Sequence, residues 1–154
     1  RRRVQGTHLH VDLTEAGART ALVGQKTRNM SPDLLVQLCG LHSFAFALFH
    51  LAFWKLFHWK HELQKVGLPT RAITQILNLR LIYLFAGVGV LCFAFTQELH
   101  STALGRTFLV FMSLFWVGRT IEQFVFLRIN KPVVHVLTVL FVIGAILFAL
   151  PLLR

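Results

Sequence analysis

The stretch from Ala72 to Phe95 reads AITQILNLRLIYLFAGVGVLCFAF and contains one charged side chain, that of Arg80. An α-helix rises about 1.5 Å per residue, so a helix over this stretch is long enough to cross the roughly 30 Å hydrocarbon core of a bilayer. Other apolar runs of similar length lie before and after it. Together they predict an all-α, polytopic membrane protein with helices at about 34–57, 72–95, 103–127 and 133–150.

The composition supports a membrane protein. Of the 154 residues, 55% are hydrophobic and 14% are charged, whereas a soluble domain has about 25% charged residues. The formal net charge is +10, but the basic residues flank the apolar runs, which favours contact with phospholipid headgroups over nucleic acid. We therefore expect phospholipids and other membrane-protein subunits as partners, and no nucleic acid.

The links between the predicted helices are short. The second and third helices are joined by TQELHST (96–102), and the third and fourth by RINKP (128–132). Short links favour antiparallel neighbours. The predicted fold is therefore a four-helix antiparallel transmembrane bundle over residues 30–154, preceded by an extended, polar and basic N-terminal tail at 1–29.

The distribution of Lys and Arg predicts an orientation. The side that contains the first-to-second and third-to-fourth loops has more basic residues near the helix ends than the opposite side has. The positive-inside rule then places these two loops in the cytoplasm or the matrix. We expect the bacterial inner membrane, with the mitochondrial inner membrane as the alternative.

The tail contains one patterned segment, THLHVDL (7–13). Its alternation predicts a strand that adds to the sheet edge of a partner. His8, His10 and Asp12 lie on one face of this strand and are residue types that bind metals; a solvated strand face is the alternative. Because a segment with so little apolar surface rarely orders itself alone, we expect the tail to pack on partner subunits.

Polar residues recur inside the predicted spans. Counting from each helix centre at about 1.5 Å per residue places them in one half of the membrane, on the side of the first-to-second loop, with His42 as the exception in the opposite half. Arg119, Glu122 and Gln123 also share one helix face by their spacing. The predicted polar layer consists of His50, Asn78, Arg80, Arg119, Glu122, Gln123 and His135.

One interpretation of this layer is structural. Charges inside a membrane are usually paired and directed into the bundle. A pair between Arg119 and Glu122, and another from Arg80 to Glu122 or Asn78, would fix the register of the helices.

Other interpretations assign a ligand or a transport role to the layer. Arg80, Arg119 and His135 can line a pocket for the headgroup of an anionic lipid or a quinone. His50 and His135 with Glu122 can form a metal or haem site, although we predict no cofactor and regard lipid or quinone as the better candidates. Glu122 can also carry protons or ions.

No motif of a known enzyme class is present. The chain lacks GxSxG, HExxH, CxxC and a glycine-rich phosphate loop. We therefore expect no enzyme. We predict a non-catalytic accessory or structural subunit of a larger inner-membrane complex, for which a respiratory complex is one candidate. The alternative is a standalone membrane protein that uses the polar layer to bind lipid, quinone or haem, or to move protons or ions.

Three segments carry a resemblance to a known group of proteins. They are LCGLHSFAFALFHLAFWKLF (38–57), AITQILNLRLIYLF (72–85) and GRTFLVFMSLFWVGRTIEQ (105–123). Over residues 30–153 the chain resembles small four-helix inner-membrane proteins of proteobacteria with no assigned function. The resemblance implies the fold and offers no active-site residues, and the extension before Met30 departs from its pattern.

Overall fold

A computed structural model describes residues 31–127, 130 and 132–154 of the chain. These residues are almost entirely helical and include no strand, and Pro32–Arg154 forms one compact unit. The predictions made for the tail, including the candidate ligands His8, His10 and Asp12, lie outside the described residues. The helices are α1 (Pro32–Leu51), α2 (Phe53–Leu56), α3 (Trp59–Glu62), α4 (Leu68–Ala94), α5 (Thr96–Ser101), α6 (Ala103–Phe126) and α7 (Pro132–Ala149), with 3-10 turns at Leu63–Lys65 and Leu150–Leu153.

Four helices are long and apolar enough to cross a membrane, which confirms that part of the prediction. They are α1, α4, α6 and α7, the last with its 3-10 extension to Leu153. Many of their large apolar side chains point away from the protein interior; Leu104 and Phe126 are each 82% exposed. Such a surface is compatible with a multi-pass membrane protein, whose outer face meets lipid.

The first predicted helix is too long. It was expected to run to about residue 57, but α1 ends at Leu51, and α2 and α3 follow as separate short helices. His58 lies between them with φ 49° and ψ 40°, a left-handed conformation that ends α2 and turns the chain. The sequence remains apolar through Phe57, so hydropathy alone placed the end of the helix six residues late.

Two other boundaries differ for identifiable reasons. Helix α4 begins at Leu68 rather than near residue 72, with Pro69 in its first turn, where a missing N–H costs no hydrogen bond. The predicted link 96–102 contains α5. Thr102 then caps α6 by accepting a hydrogen bond from the N–H of Gly105 at 3.0 Å.

The long helices pack as two close pairs, α1 with α4 and α6 with α7. In the first pair, a Cβ on Gly40 would touch the ring of Phe93, and a Cβ on Gly89 would touch the ring of Phe44. In the second pair, the hydroxyl of Ser113 donates to the carbonyl oxygen of Ala145 at 2.8 Å. Small residues and short polar bonds of this kind let helices approach closely.

Several contacts hold the helices together at the end of the protein that contains α5, where α5 touches both α1 and α6. His100 Nε2 lies 2.7 Å from Asp33 Oδ1 at the start of α1, and Arg106 donates to the carbonyl oxygen of Leu152 at 3.2 Å. A Cβ on Gly105 would collide with the backbone of Glu98 and of its neighbour in α5. We call this set of contacts the α5 clamp.

Candidate functional site

A cleft lies at the other end of the protein, away from the α5 clamp. Its volume is about 510 Å³, within the range typical of small-molecule sites. All four long helices contribute to it, together with α2. We call it the aromatic cleft; it is lined by Phe46, Phe49, His50, Phe53, Phe57, Leu81, Phe85, Phe115, Trp116, Arg119, Glu122, Gln123, Leu127, Leu137 and Phe141.

Four aromatic rings form the inner wall of the cleft, and each comes from a different long helix. Trp116 is 1% exposed and stacks on Phe85 at a centroid distance of 5.4 Å and on Phe141 at 5.7 Å. Phe46 lies 4.6 Å from Trp116 and 5.7 Å from both Phe85 and Phe141. Aromatic pairs at such distances add to the stability that burial alone provides, so this wall is a fixed surface.

A reciprocal hydrogen-bonded pair joins α1 to α4 at one side of the cleft. Asn78, which is 2% exposed, donates through Nδ2 to the backbone oxygen of His50 at 3.1 Å. This bond orients the amide, so Asn78 Oδ1 faces His50 Nδ1 at 2.8 Å and accepts its hydrogen. In a neutral imidazole, Nε2 of His50 is then the hydrogen-bond acceptor.

The charged group of the cleft comes from α6. Arg119 donates to Glu122 Oε2 at 2.6 Å, so the two side chains pair as predicted, but both lie on α6 and their pair does not fix the register between helices. Its guanidinium carbon also lies 5.2 Å from the ring centroid of Phe141, in cation–π geometry. The two opposite charges of Arg119 and Glu122 cancel. A guanidinium group has five N–H donors, and the hydrogen bond to Glu122 uses one of them.

Of the remaining residues of the predicted polar layer, Gln123 also lines the cleft, whereas His135 and Arg80 lie elsewhere. Gln123 lines the cleft and donates to the carbonyl oxygen of Val134 at 3.3 Å, which joins α6 to α7. His135 bonds Asn130 at 2.8 Å and borders a separate depression of about 270 Å³. Arg80 is exposed and lines neither space, and within the described part of the chain we find no hydrogen bond or ion pair that it makes.

The layer is therefore divided into three parts. His50, Arg119 and Glu122 share the aromatic cleft, but His135 and Arg80 do not. The ligands suggested for a haem or metal do not line one common cavity: His50 and Glu122 line the aromatic cleft, and His135 does not. Over the described residues there is no group of three or more His, Cys, Asp or Glu side chains that could hold a metal ion.

Sequence reasoning missed the aromatic wall. The sequence contained one signal for it: Trp116 lies three residues before Arg119 and seven before Gln123, a spacing that puts all three on one helix face. The wall also includes one buried polar group, Trp116 Nε1, that makes no hydrogen bond with any residue that the structure describes. His42 Nδ1 is in the same state; its ring meets Trp116 at 4.8 Å while its Nε2 donates to the carbonyl oxygen of Leu140 at 3.1 Å.

Comparisons of the chain with protein-family models, with curated proteins and with solved structures found no match. The functional argument therefore rests on the cleft itself.

Proposed function

We propose that the four long helices cross the membrane as an antiparallel bundle. The contacts between α1 and α4 support this, because positions that ascend in α1 meet positions that descend in α4: Gly40 meets Phe93, Phe46 meets Phe85 and His50 meets Asn78. The basic residues near the helix ends favour an orientation with the loops that precede α4 and α7 in the cytoplasm or matrix, and we place the bundle in an inner membrane.

The function that we infer for this bundle is the binding of a neutral, ring-bearing amphipathic molecule of the quinone class in the aromatic cleft. The observation that carries the proposal is the presence of His50, Arg119 and a four-ring wall around one space of about 510 Å³. Flat aromatic walls favour a planar ring. Free guanidinium donors suit a ring carbonyl, and Nε2 of His50 suits a ring hydroxyl.

Charge favours a neutral ligand over an anionic lipid in this cleft. Glu122 lies 2.6 Å from Arg119 and already supplies its counter-charge. An anionic headgroup would have to displace this carboxylate or lie beside it, and like charges at such short range repel strongly away from water. The carbonyl oxygen of a neutral ring carries no full charge, so it can accept a hydrogen bond from Arg119 without displacing Glu122.

The test uses Trp116 as a reporter within the cleft. In the full chain with Trp54→Phe and Trp59→Phe, Trp116 is the single tryptophan, and a decyl-benzoquinone added to the purified protein in micelles should quench its emission saturably. Arg119→Gln should weaken binding about tenfold, because a hydrogen bond from a charged donor is lost.

Arg80→Gln is the matched control, since Arg80 is also an arginine in the predicted polar layer but does not line the cleft. It should leave the quinone affinity unchanged. A second arm tests the charge argument: Glu122→Gln should increase binding of decyl phosphate, measured by competition with the quinone. Quenching that does not saturate, or that Arg119→Gln and Arg80→Gln weaken equally, would count against the proposal.

The prediction of an accessory subunit rests on the tail, outside the described residues, and stays a prediction. Gentle purification of the full chain from its native membrane tests it. Stable copurifying subunits that are lost when residues 1–29 are removed would support it, and a full-length protein that purifies alone would contradict it.

A further inference from the structure

The chain between α1 and α4 forms a small cap over one end of the long helices. Leu63 is buried and anchors the cap. Trp59 contacts Trp54 at a centroid distance of 5.4 Å and Phe53 at 5.6 Å. Because these residues directly follow one proposed span and precede the next, the cap lies where the lipid headgroups would be, which is also the depth that tryptophan prefers.

A second cleft, of about 460 Å³, opens between this cap and the first turns of α4. Its polar groups are those of Lys60, Gln64, Arg71 and Gln75, two cations and two amides, and no carboxylate of the described residues lines it. Arg71 is half-buried while Lys60 is exposed. We call this space the cap cleft; Trp59 and Leu63 complete its lining.

The nearest acidic residue of the cap does not neutralise these cations. Glu62 forms an ion pair with Lys65, whose Nζ lies 2.7 Å from its Oε1. This hydrogen bond and the charge of Lys65 hold the pKa of Glu62 below its ordinary value. Glu62 is therefore ionised and paired with Lys65 at neutral pH, which leaves Lys60 and Arg71 in net positive surroundings.

We propose that the cap cleft binds the phosphate group of an anionic phospholipid, with Lys60 and Arg71 as its cationic ligands. A guanidinium fork matches the geometry of phosphate oxygens, and a lysine adds a mobile point charge. Gln64 and Gln75 supply amide N–H donors, and Trp59 supports the glycerol region. The proposal rests on the proposed membrane placement, but it is independent of the ligand proposed for the aromatic cleft.

The experiment measures retention of phosphatidylglycerol by the full chain, using native mass spectrometry from zwitterionic micelles. The double variant Lys60→Gln/Arg71→Gln should weaken retention by about tenfold or more, as expected for two interfacial cations. The control Lys55→Gln/Arg80→Gln also removes one lysine and one arginine, and neither residue lines the cap cleft. It should change retention by less than about twofold.

Two further measurements distinguish a lipid site from a free-phosphate site, and loss of binding from loss of folding. Inorganic phosphate at millimolar concentration should not displace the lipid; displacement would assign the site to free phosphate and overturn the lipid proposal. Equal losses in both double variants, or no loss in either, would overturn it as well. If the double variant does not fold, Lys60→Gln alone, a change on an exposed side chain, should weaken retention about threefold.

The two proposed sites can fail separately. Lys60→Gln/Arg71→Gln should leave quinone quenching of Trp116 unchanged, because neither residue lines the aromatic cleft. Lost lipid retention with intact quenching supports the cap cleft, while loss of both signals would assign the effect to general damage and contradict the site.

Discussion

At the residue scale, the amide, imidazole and charged groups around the aromatic cleft are satisfied in pairs, whereas Trp116 Nε1 has no partner among the described residues. Asn78 is almost fully buried, and both its amide nitrogen and its amide oxygen form hydrogen bonds with His50. Arg119 is paired with Glu122 one helical turn away. An unpaired polar group in apolar surroundings costs about 1–3 kcal/mol, so these pairs allow polar chemistry to be held at membrane depth.

The pair between Asn78 and His50 should contribute measurably to stability. Asn78→Leu should lower the free energy of unfolding by about 1–2 kcal/mol, because it leaves the Nδ1 and backbone oxygen of His50 without partners. A double-mutant cycle with His50→Phe should give a coupling energy of about 0.6–1.7 kcal/mol, the range measured for hydrogen bonds between transmembrane helices. Reversible unfolding in mixed micelles provides the measurement.

Gln75→Leu serves as the control for that cycle, since Gln75 lies one turn before Asn78 and forms no hydrogen bond with His50. It should show no coupling to His50→Phe. Additive effects of Asn78→Leu and His50→Phe would show that the two side chains do not interact.

The backbone of His58 is a second residue-scale feature, because a non-glycine residue at φ 49° is strained. His58→Gly should raise the free energy of unfolding by about 1 kcal/mol, since glycine has no Cβ to clash in this conformation. His61→Gly, inside α3, should instead lower it by about 1 kcal/mol through lost helix propensity. Thermal unfolding of the two variants compares them directly, and the same sign for both would contradict the assigned conformation.

At the scale of elements, the close approach of α7 to α1 and α6 depends on the absence of a side chain at Gly144. A Cβ on Gly144 would lie 2.7 Å from His42 Cε1 and 2.8 Å from Trp116 Cδ2. Trp116 is buried and packed between Phe85 and Phe141, so it cannot move aside cheaply. The aromatic wall and the position of α7 are therefore set by the same contact.

Gly144→Ala should lower the free energy of unfolding by about 1–3 kcal/mol, the usual cost of forcing extra volume into a packed core. It should also weaken quenching of Trp116 by the quinone, because displaced rings no longer form the same wall. Gly118→Ala is the control: a Cβ there meets nothing within 4 Å, so this change should be neutral or stabilise α6 by up to about 1 kcal/mol. Equal effects of the two substitutions would argue against close packing at Gly144.

At the scale of the whole molecule, the arrangement of the four spans makes a prediction about sidedness. Cys39 and Cys92 are the only cysteines in the sequence, and both are buried. A membrane-impermeant thiol reagent should therefore not label the unmodified protein in intact vesicles. Single cysteines introduced by Gln64→Cys and Asn130→Cys should be labelled from one side, and one introduced by Gln97→Cys from the other.

Labelling of positions 64 and 97 from the same side would contradict the antiparallel bundle. Labelling of the unmodified chain after denaturation confirms that the reagent is active and that the two native cysteines are protected by the fold.

The spans could be predicted from the sequence because length and apolar character are local properties. The end of α1 could not, because residues 52–57 are as apolar as the helix before them. The aromatic cleft could not either, because it depends on how each helix is rotated about its axis. Arg80 and Arg119 are at similar depth by counting, yet only Arg119 enters the cleft; the packing of Phe46 against Phe85 and Trp116 decides this, and it requires several helices at once.

The α5 clamp has a mechanical consequence. It joins the two helix pairs through α5, which meets α1 at Asp33 and His100 and meets α6 at Gly105, while the aromatic wall packs the same pairs together further along the bundle. Because the helices are stiff, a small change in the angle between the two pairs produces its largest displacement at the helix ends furthest from the α5 clamp. A ligand in the cleft would therefore act on the helix ends next to the cap, beyond the wall, and would leave the end at the α5 clamp nearly unchanged.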